Sequence, residues 1–183
     1  MDDATLRIIA VAGTLGALGL WVLSTFIWRV TGTWERMLSD DERADGAKKE
    51  KITFGQLGPF VTGRREVKGG YQEYSGLMIG RSVTLTRRDH GVDALADMGF
   101  PDGVAHKLNG EVMARLKLSL IEGGLFLVGT FEPQKVEFTH QPERVTGMYF
   151  LPGQKRRYRR VELVTVRDRV PVLDDVDAET TQA

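Results

Sequence analysis

The chain has 183 residues, 25 Lys and Arg against 25 Asp and Glu, 42% hydrophobic side chains and no cysteine. That length supports one domain with a self-sufficient core. The balanced charge argues against a dedicated nucleic-acid domain, which is usually strongly basic, and the missing thiols exclude disulfide and thiolate chemistry.

After a short tail (residues 1–7) come 21 residues without an ionisable side chain, IIAVAGTLGALGLWVLSTFIW, bounded by Arg7 and Arg29. At 1.5 Å rise per residue, residues 8–28 span roughly 31 Å of helix, enough to cross a hydrocarbon core of about 30 Å. Their large apolar side chains favour insertion by about 3 to 6 kcal/mol before the Gly and Ser costs are subtracted. A cleaved signal peptide has a basic start, a shorter apolar stretch and a small-residue exit, whereas this segment starts Met-Asp-Asp and ends Phe26-Ile27-Trp28. The segment also lacks the polar face of a soluble helix. It reads as a retained transmembrane helix, a signal anchor, with Trp28 and Trp34 at the headgroup level. Ala12 with Gly16, and Gly13 with Ala17, stand four apart, and Gly19 continues the row. Such rows let two membrane helices pack closely, so self-association or docking to a partner helix is expected, although Gly and Ala are common in membrane helices in any case.

Arg7 alone precedes this helix, whereas Arg29, Arg36, Arg43 and Lys48 follow it, with Lys49 and Lys51 just beyond. The asymmetry places the C-terminal domain in the cytoplasm. A bacterial inner membrane is the expected location. Residues 29–51 read as a charged juxtamembrane linker, with a helix start at Ser39 followed by Asp40, Asp41 and Glu42 in the first turn.

Residues 52–173 change character, with short Val, Thr, Tyr, Phe and Leu runs punctuated by glycine, the pattern of strands. Alternation marks Val83-Thr84-Leu85-Thr86, Leu116-Lys117-Leu118-Ser119-Leu120 and Val136-Glu137-Phe138-Thr139. Lys68-Gly69-Gly70, Glu122-Gly123-Gly124 and Leu151-Pro152-Gly153-Gln154 read as turns, implying at least three hairpins. Val92-Asp93-Ala94-Leu95-Ala96-Asp97-Met98 and a shorter run through Val104 and Leu108 read as one or two short helices near residues 92–109, and Gly110 as a break before a strand from about Glu111. The expected architecture is mainly β: the transmembrane helix, then one antiparallel β-sandwich or small β-barrel with the short helices inserted.

The densest chemistry is Lys155, Arg156, Arg157, Tyr158, Arg159 and Arg160. On a strand Arg156, Tyr158 and Arg160 share one face, and Lys155, Arg157 and Arg159 the other. Neither face is apolar enough for burial, so a sheet edge or projecting arm is expected. This set is the candidate contact for anionic lipid or an acidic partner, against the alternative that charged edges merely prevent aggregation. Residues 174–183, DDVDAETTQA, carry four acids and read as a disordered tail.

No nucleophile elbow, phosphate loop or dinucleotide fingerprint occurs, and His90, His106 and His140 are isolated from one another, each beside only chance acidic neighbours such as Asp89 and Asp93. No catalytic residue, metal or cofactor is assigned. R-x-x-x-R at residues 156–160 and Glu73-Tyr74-Ser75-Gly76 are reminiscent of the two motifs of the cyclic-dinucleotide-binding PilZ domain, a small β-barrel. The order here is reversed, Glu73 replaces Asp or Asn, and Met78 stands where the motif has Gly, so the family is not assigned. Two functional readings follow: a non-enzymatic, membrane-anchored adaptor or accessory subunit, and an anchored barrel whose Arg64, Arg65, Arg87 or Arg88 line a site for an anionic or lipidic ligand.

Overall fold

A computed structural model describes residues 27–161 and, before them, the helical and exposed Gly13, Thr14, Gly16 and Gly19. Most of segment 8–28, with Ala12 and Ala17, and all of 174–183 lie outside the described residues. Among the described residues no helix is long and apolar enough to cross a membrane.

Alternating side chains build nine strands: β1 (Gly32–Met37), β2 (Lys51–Leu57), β3 (Phe60–Val67), β4 (Gly70–Ile79), β5 (Ser82–His90), β6 (Val112–Ile121), β7 (Phe126–His140), β8 (Glu143–Phe150) and β9 (Gln154–Val161). They pair in the order β6-β5-β4-β3-β2-β1-β9-β7-β8, and a further β6–β7 pairing closes β1 to β7 and β9 into an eight-stranded antiparallel barrel. Of the two expected β architectures the barrel is the one formed. Closure satisfies the backbone hydrogen bonds that a sandwich leaves open at its edges.

Inward positions follow the period of two. Trp34, Ile52, Phe54, Val61, Tyr74, Met78, Val83, Leu85, Leu116, Leu118, Leu120, Leu127 and Tyr158 form one buried cluster. Side chains fill an eight-stranded lumen, so large rings there need small neighbours. Gly63 supplies one, and Gly76 and Gly129 lie where adjacent strands approach closely. A Cβ on Gly63 would run into the Phe54 ring, and one on Gly76 or Gly129 would strike the backbone carbonyl of Thr84 or Lys117.

Three expectations change. The stretch read as a linker supplies β1 and the one-turn helix α1 (Asp40–Ala44), so the barrel begins four residues after Trp28. The Ser39 helix start is present as a capping box: Glu42 N–H donates to Ser39 Oγ at 3.2 Å and Ser39 N–H to Glu42 Oε2 at 3.0 Å. Trp34 is fully buried inside the barrel rather than at a headgroup level, because the alternation of β1 turns it inward with Arg36.

The arginine-rich strand is not an edge. β9 pairs with β1 on one side and β7 on the other. The Pro152-Gly153 step closes no hairpin either. β8 pairs with residues 134–140 of β7 and β9 with residues 126–131, so the two run in the same direction along successive parts of one long strand. Leu151 N–H bonds the Pro133 carbonyl within the break. Register continuity on β7 overrides the local turn preference.

Beyond the barrel, the β7–β8 arm packs on two short helices, α2 (Val92–Asp97) and α3 (Asp102–Leu108), as expected near residues 92–109. Leu95, Val104, Ala105 and Leu108 form a second small core against Phe100, Val136, Phe138 and Val145.

Candidate functional site

The barrel has two chemically different ends. At the end where β1 finishes and β2 begins, inward positions carry Arg36, Arg65, Gln72, Arg87, Asp89 and Arg156, with Glu50 just ahead of β2. Glu50 Oε1 lies 3.2 Å from Arg36, 3.7 Å from Arg65 and 3.8 Å from Arg156. Arg36 also pairs with Glu42 of α1, whose carboxyl the Ser39 N–H and then the Arg36 guanidinium hold below its ordinary range. Asp89, buried, lies 2.9 Å from Arg87 Nε and accepts from Arg87 Nη2 at 3.0 Å. Arg65 donates to Gln72 Oε1 at 3.0 Å.

Four guanidiniums thus share Glu50, Asp89 and the rim residue Glu42, which leaves a formal excess of one positive charge. Arg36 Nε and Arg156 Nε and Nη1 are buried and donate to no acceptor of the protein. The Phe131 ring lies between Arg156, 4.7 Å from its centroid, and Arg87, 5.4 Å away. Those stacks supply part of what hydrogen bonds do not. The arrangement suits an anion with several oxygen acceptors.

Two tyrosines floor this polar layer. Burial pushes the Tyr74 hydroxyl up to about 12 and raises that of Tyr158 as well. For Tyr74 the folded value exceeds the ordinary 10, so the unfolded chain ionises first. Stability is therefore complete below pH 10 and falls between pH 10 and 12, by about 2 to 3 kcal/mol for this one group. Urea midpoints should hold steady below pH 10 and drop above it, and the slope should flatten in Tyr74→Phe.

The opposite end receives the chain from segment 8–28. Residues 28–30 are latched there: Gln56 donates to the Trp28 carbonyl at 3.3 Å and accepts from Val30 N–H at 2.9 Å. Arg81 stacks 4.1 Å over the Trp28 ring, and Arg160 donates to the Arg29 carbonyl. Trp34 Nε1 donates to the Val30 carbonyl at 2.7 Å.

The sequence-predicted residues separate by face. Arg156, Tyr158 and Arg160 point inward, with Tyr158 buried and Arg160 4.7 Å over the Trp34 ring. Arg157 and Arg159 face outward and lie 3.2 Å from Glu122 and 3.5 Å from Glu35, and Lys155 is exposed beside them. Of the arginines proposed for a ligand site, Arg65 and Arg87 reach the polar layer. Arg64 stacks outside on Tyr71, and Arg88 donates to the Gly110 carbonyl at 2.8 Å. The R-x-x-x-R of β9 and residues 73–76 of β4 sit on non-adjacent strands. Arg36, Glu50, Gln72 and Asp89 are the members of the layer that sequence reasoning misses. The signal for two of them is spacing: Arg36 stands two residues after Trp34, and Glu50 two before Ile52, both inward positions.

No protein-family model, curated protein or solved structure was found that matches this chain.

Proposed function

We propose that the chain is a single-pass membrane protein whose barrel serves as a non-enzymatic adaptor or accessory subunit of a membrane-associated assembly. The supporting observation is the junction: a segment of 21 residues without charge leads directly into a barrel end that grips residues 28–30 through Gln56, Arg81 and Arg160. A tether of this kind fixes where the barrel sits, which suits a protein that presents a surface. The β7–β8 arm with α2 and α3 is the surface it presents farthest from the anchor. In this reading Ala12, Gly13, Gly16, Ala17 and Gly19 form the packing row for a second membrane helix, and the excess of flanking cations after the segment supports a barrel on the cytoplasmic side of a bacterial inner membrane.

Extraction of the full chain tests this reading. The protein should stay in the membrane through alkaline carbonate washing, float with vesicles, and leave in mild detergent together with a stoichiometric partner or a second copy. Release by carbonate would sink the anchor.

A second reading rests on the unsatisfied Arg36 and Arg156 donors: an anchored barrel that binds an anionic or lipidic ligand at its polar end. Inorganic phosphate should then raise the thermal midpoint above that in chloride of equal ionic strength.

A further inference from the structure

Ten large apolar side chains are exposed among the described residues, and six of them, Ile27, Leu57, Phe60, Leu77, Ile79 and Leu125, gather at the end of the barrel where the chain enters. Register shows how. Leu57 pairs with Phe60 and Phe60 with Leu77, and residues paired across neighbouring strands share a face, so the three form an outward row across β2, β3 and β4. Ile79 lies two residues farther along β4 on that face. Leu57 is 82% exposed and Phe60 63%. Leu125 joins from the β6–β7 turn, which reaches the same end: Leu120 N–H bonds the Arg81 carbonyl, and Arg160 N–H the Leu125 carbonyl. Scattered exposed apolar residues are ordinary, whereas a fringe confined to one end of a barrel marks a contact surface.

Chain connectivity and charge both bear on what that surface meets. Ile27 is itself 71% exposed in the fringe and is the last but one residue of the uncharged segment. Three residues separate Trp28 from β1, so the barrel cannot stand more than about 14 Å from the end of that segment. The latch on residues 28–30 removes even that slack. Arg29, Arg81, Arg157 and Arg159 border the fringe, with Arg157 3.2 Å from Glu122 and Arg159 3.5 Å from Glu35. Beside Leu125 a groove of about 470 Å³ is lined by Phe126, Arg159, Arg160 and Val161, a mixed apolar and basic lining. Apolar side chains rimmed by arginine and tryptophan are the composition that settles at a membrane interface.

We infer that this end of the barrel is seated in the bilayer itself, with the Leu57, Phe60, Leu77, Ile79 and Leu125 fringe among the lipid headgroups and upper acyl chains and the bordering arginines on lipid phosphates. The inference rests on the anchored reading of residues 8–28 and adds that the barrel docks on the lipid it is tethered to.

The absence of native cysteine makes the test direct. Full-length Leu57→Cys and Ile79→Cys, both at exposed positions, and Met98→Cys on the turn after α2 as the distal control, each carry one environment-sensitive fluorophore. They are reconstituted into phosphatidylcholine vesicles with or without phosphatidylglycerol. The labels at 57 and 79 should emit to the blue, be quenched by nitroxide-bearing lipid and be shielded from aqueous iodide. The label at 98 should show the reverse. A greater blue shift with phosphatidylglycerol would assign the arginines to anionic headgroups, and an equal shift would remove them from the inference. Iodide-accessible labels at 57 and 79 on protein that floats with the vesicles would overturn the docking and leave the anchor standing. Labels shielded from both quenchers would overturn it in favour of a protein occupant. Failure to float would overturn the anchored reading itself.

Discussion

Glu50→Ala should lower the unfolding free energy by about 3 kcal/mol, the low end of the range for removing one partner of a buried ion pair, because the Glu50 carboxylate keeps 21% of its surface. The reason is the asymmetry of the cluster. Glu50 is the carboxylate that Arg36, Arg65 and Arg156 hold in common. Without it Arg36 retains Glu42, while Arg65 retains Gln72 and Arg156 the Phe131 ring and Gln154. Truncation therefore leaves desolvated positive charge rather than merely deleting attraction. A second substitution, Arg156→Met, should recover part of the loss, since it removes a charge that has lost its partner while keeping an unbranched apolar stem. Urea midpoints followed by tryptophan fluorescence measure both. The same variant bears on ligand binding: if the polar end accepts anions, acetate should stabilise Glu50→Ala more than it stabilises the parent.

Gly129→Val should cost at least about 3 kcal/mol, above ordinary overpacking, because the obstacle is backbone rather than a movable side chain. A Cβ on Gly129 is aimed at the Lys117 carbonyl and the Leu118 Cα, and one on Gly76 meets the Thr84 carbonyl and the Leu85 Cα in the same geometry. Gly129 lies opposite Leu118 and Gly76 opposite Leu85, so both are points where adjacent strands approach closely as the barrel coils. Relief at either would require β6 and β7, or β4 and β5, to part. Gly55→Ala is the control. Its Cβ would lie 3.6 Å from Thr62 Oγ1, an ordinary contact, so its urea midpoint should stay near the parent value.

Much of the fold is legible in the order of the residues. β5, β6 and the outer half of β7 advertise themselves through alternation, the turns at Gly69-Gly70 and Gly123-Gly124 are where glycine puts them, and the short helices fall within residues 92–109. What resists reading shares one cause. Pattern rules take the inward face of a strand to be apolar, and this lumen is apolar along only part of its length. β1 offers Trp34 and then Arg36, and β9 offers Arg156, Tyr158 and Arg160, so both look like surface. Glu50 is what allows arginine to face inward there, and it lies far from β9 in the chain. The break at Pro152-Gly153 misleads for a related reason, because its geometry is set by pairing with β7 and not by the two residues themselves.

The lengths of the strands also fix a height. β4 has ten residues, and at about 3.3 Å each with a tilt near 40° the barrel wall rises about 25 Å. Residues 134–140 of β7 carry the arm onward by up to about 20 Å. If the fringe rests in the headgroups as inferred, the tip of the arm and the helices beneath it stand several Debye lengths above the lipid charge, each about 8 Å at physiological salt. The two ends would then answer to different surroundings. The lower one would be governed by lipid composition, whereas the upper one would meet whatever is dissolved or assembled at that altitude, indifferent to the charge of the membrane below.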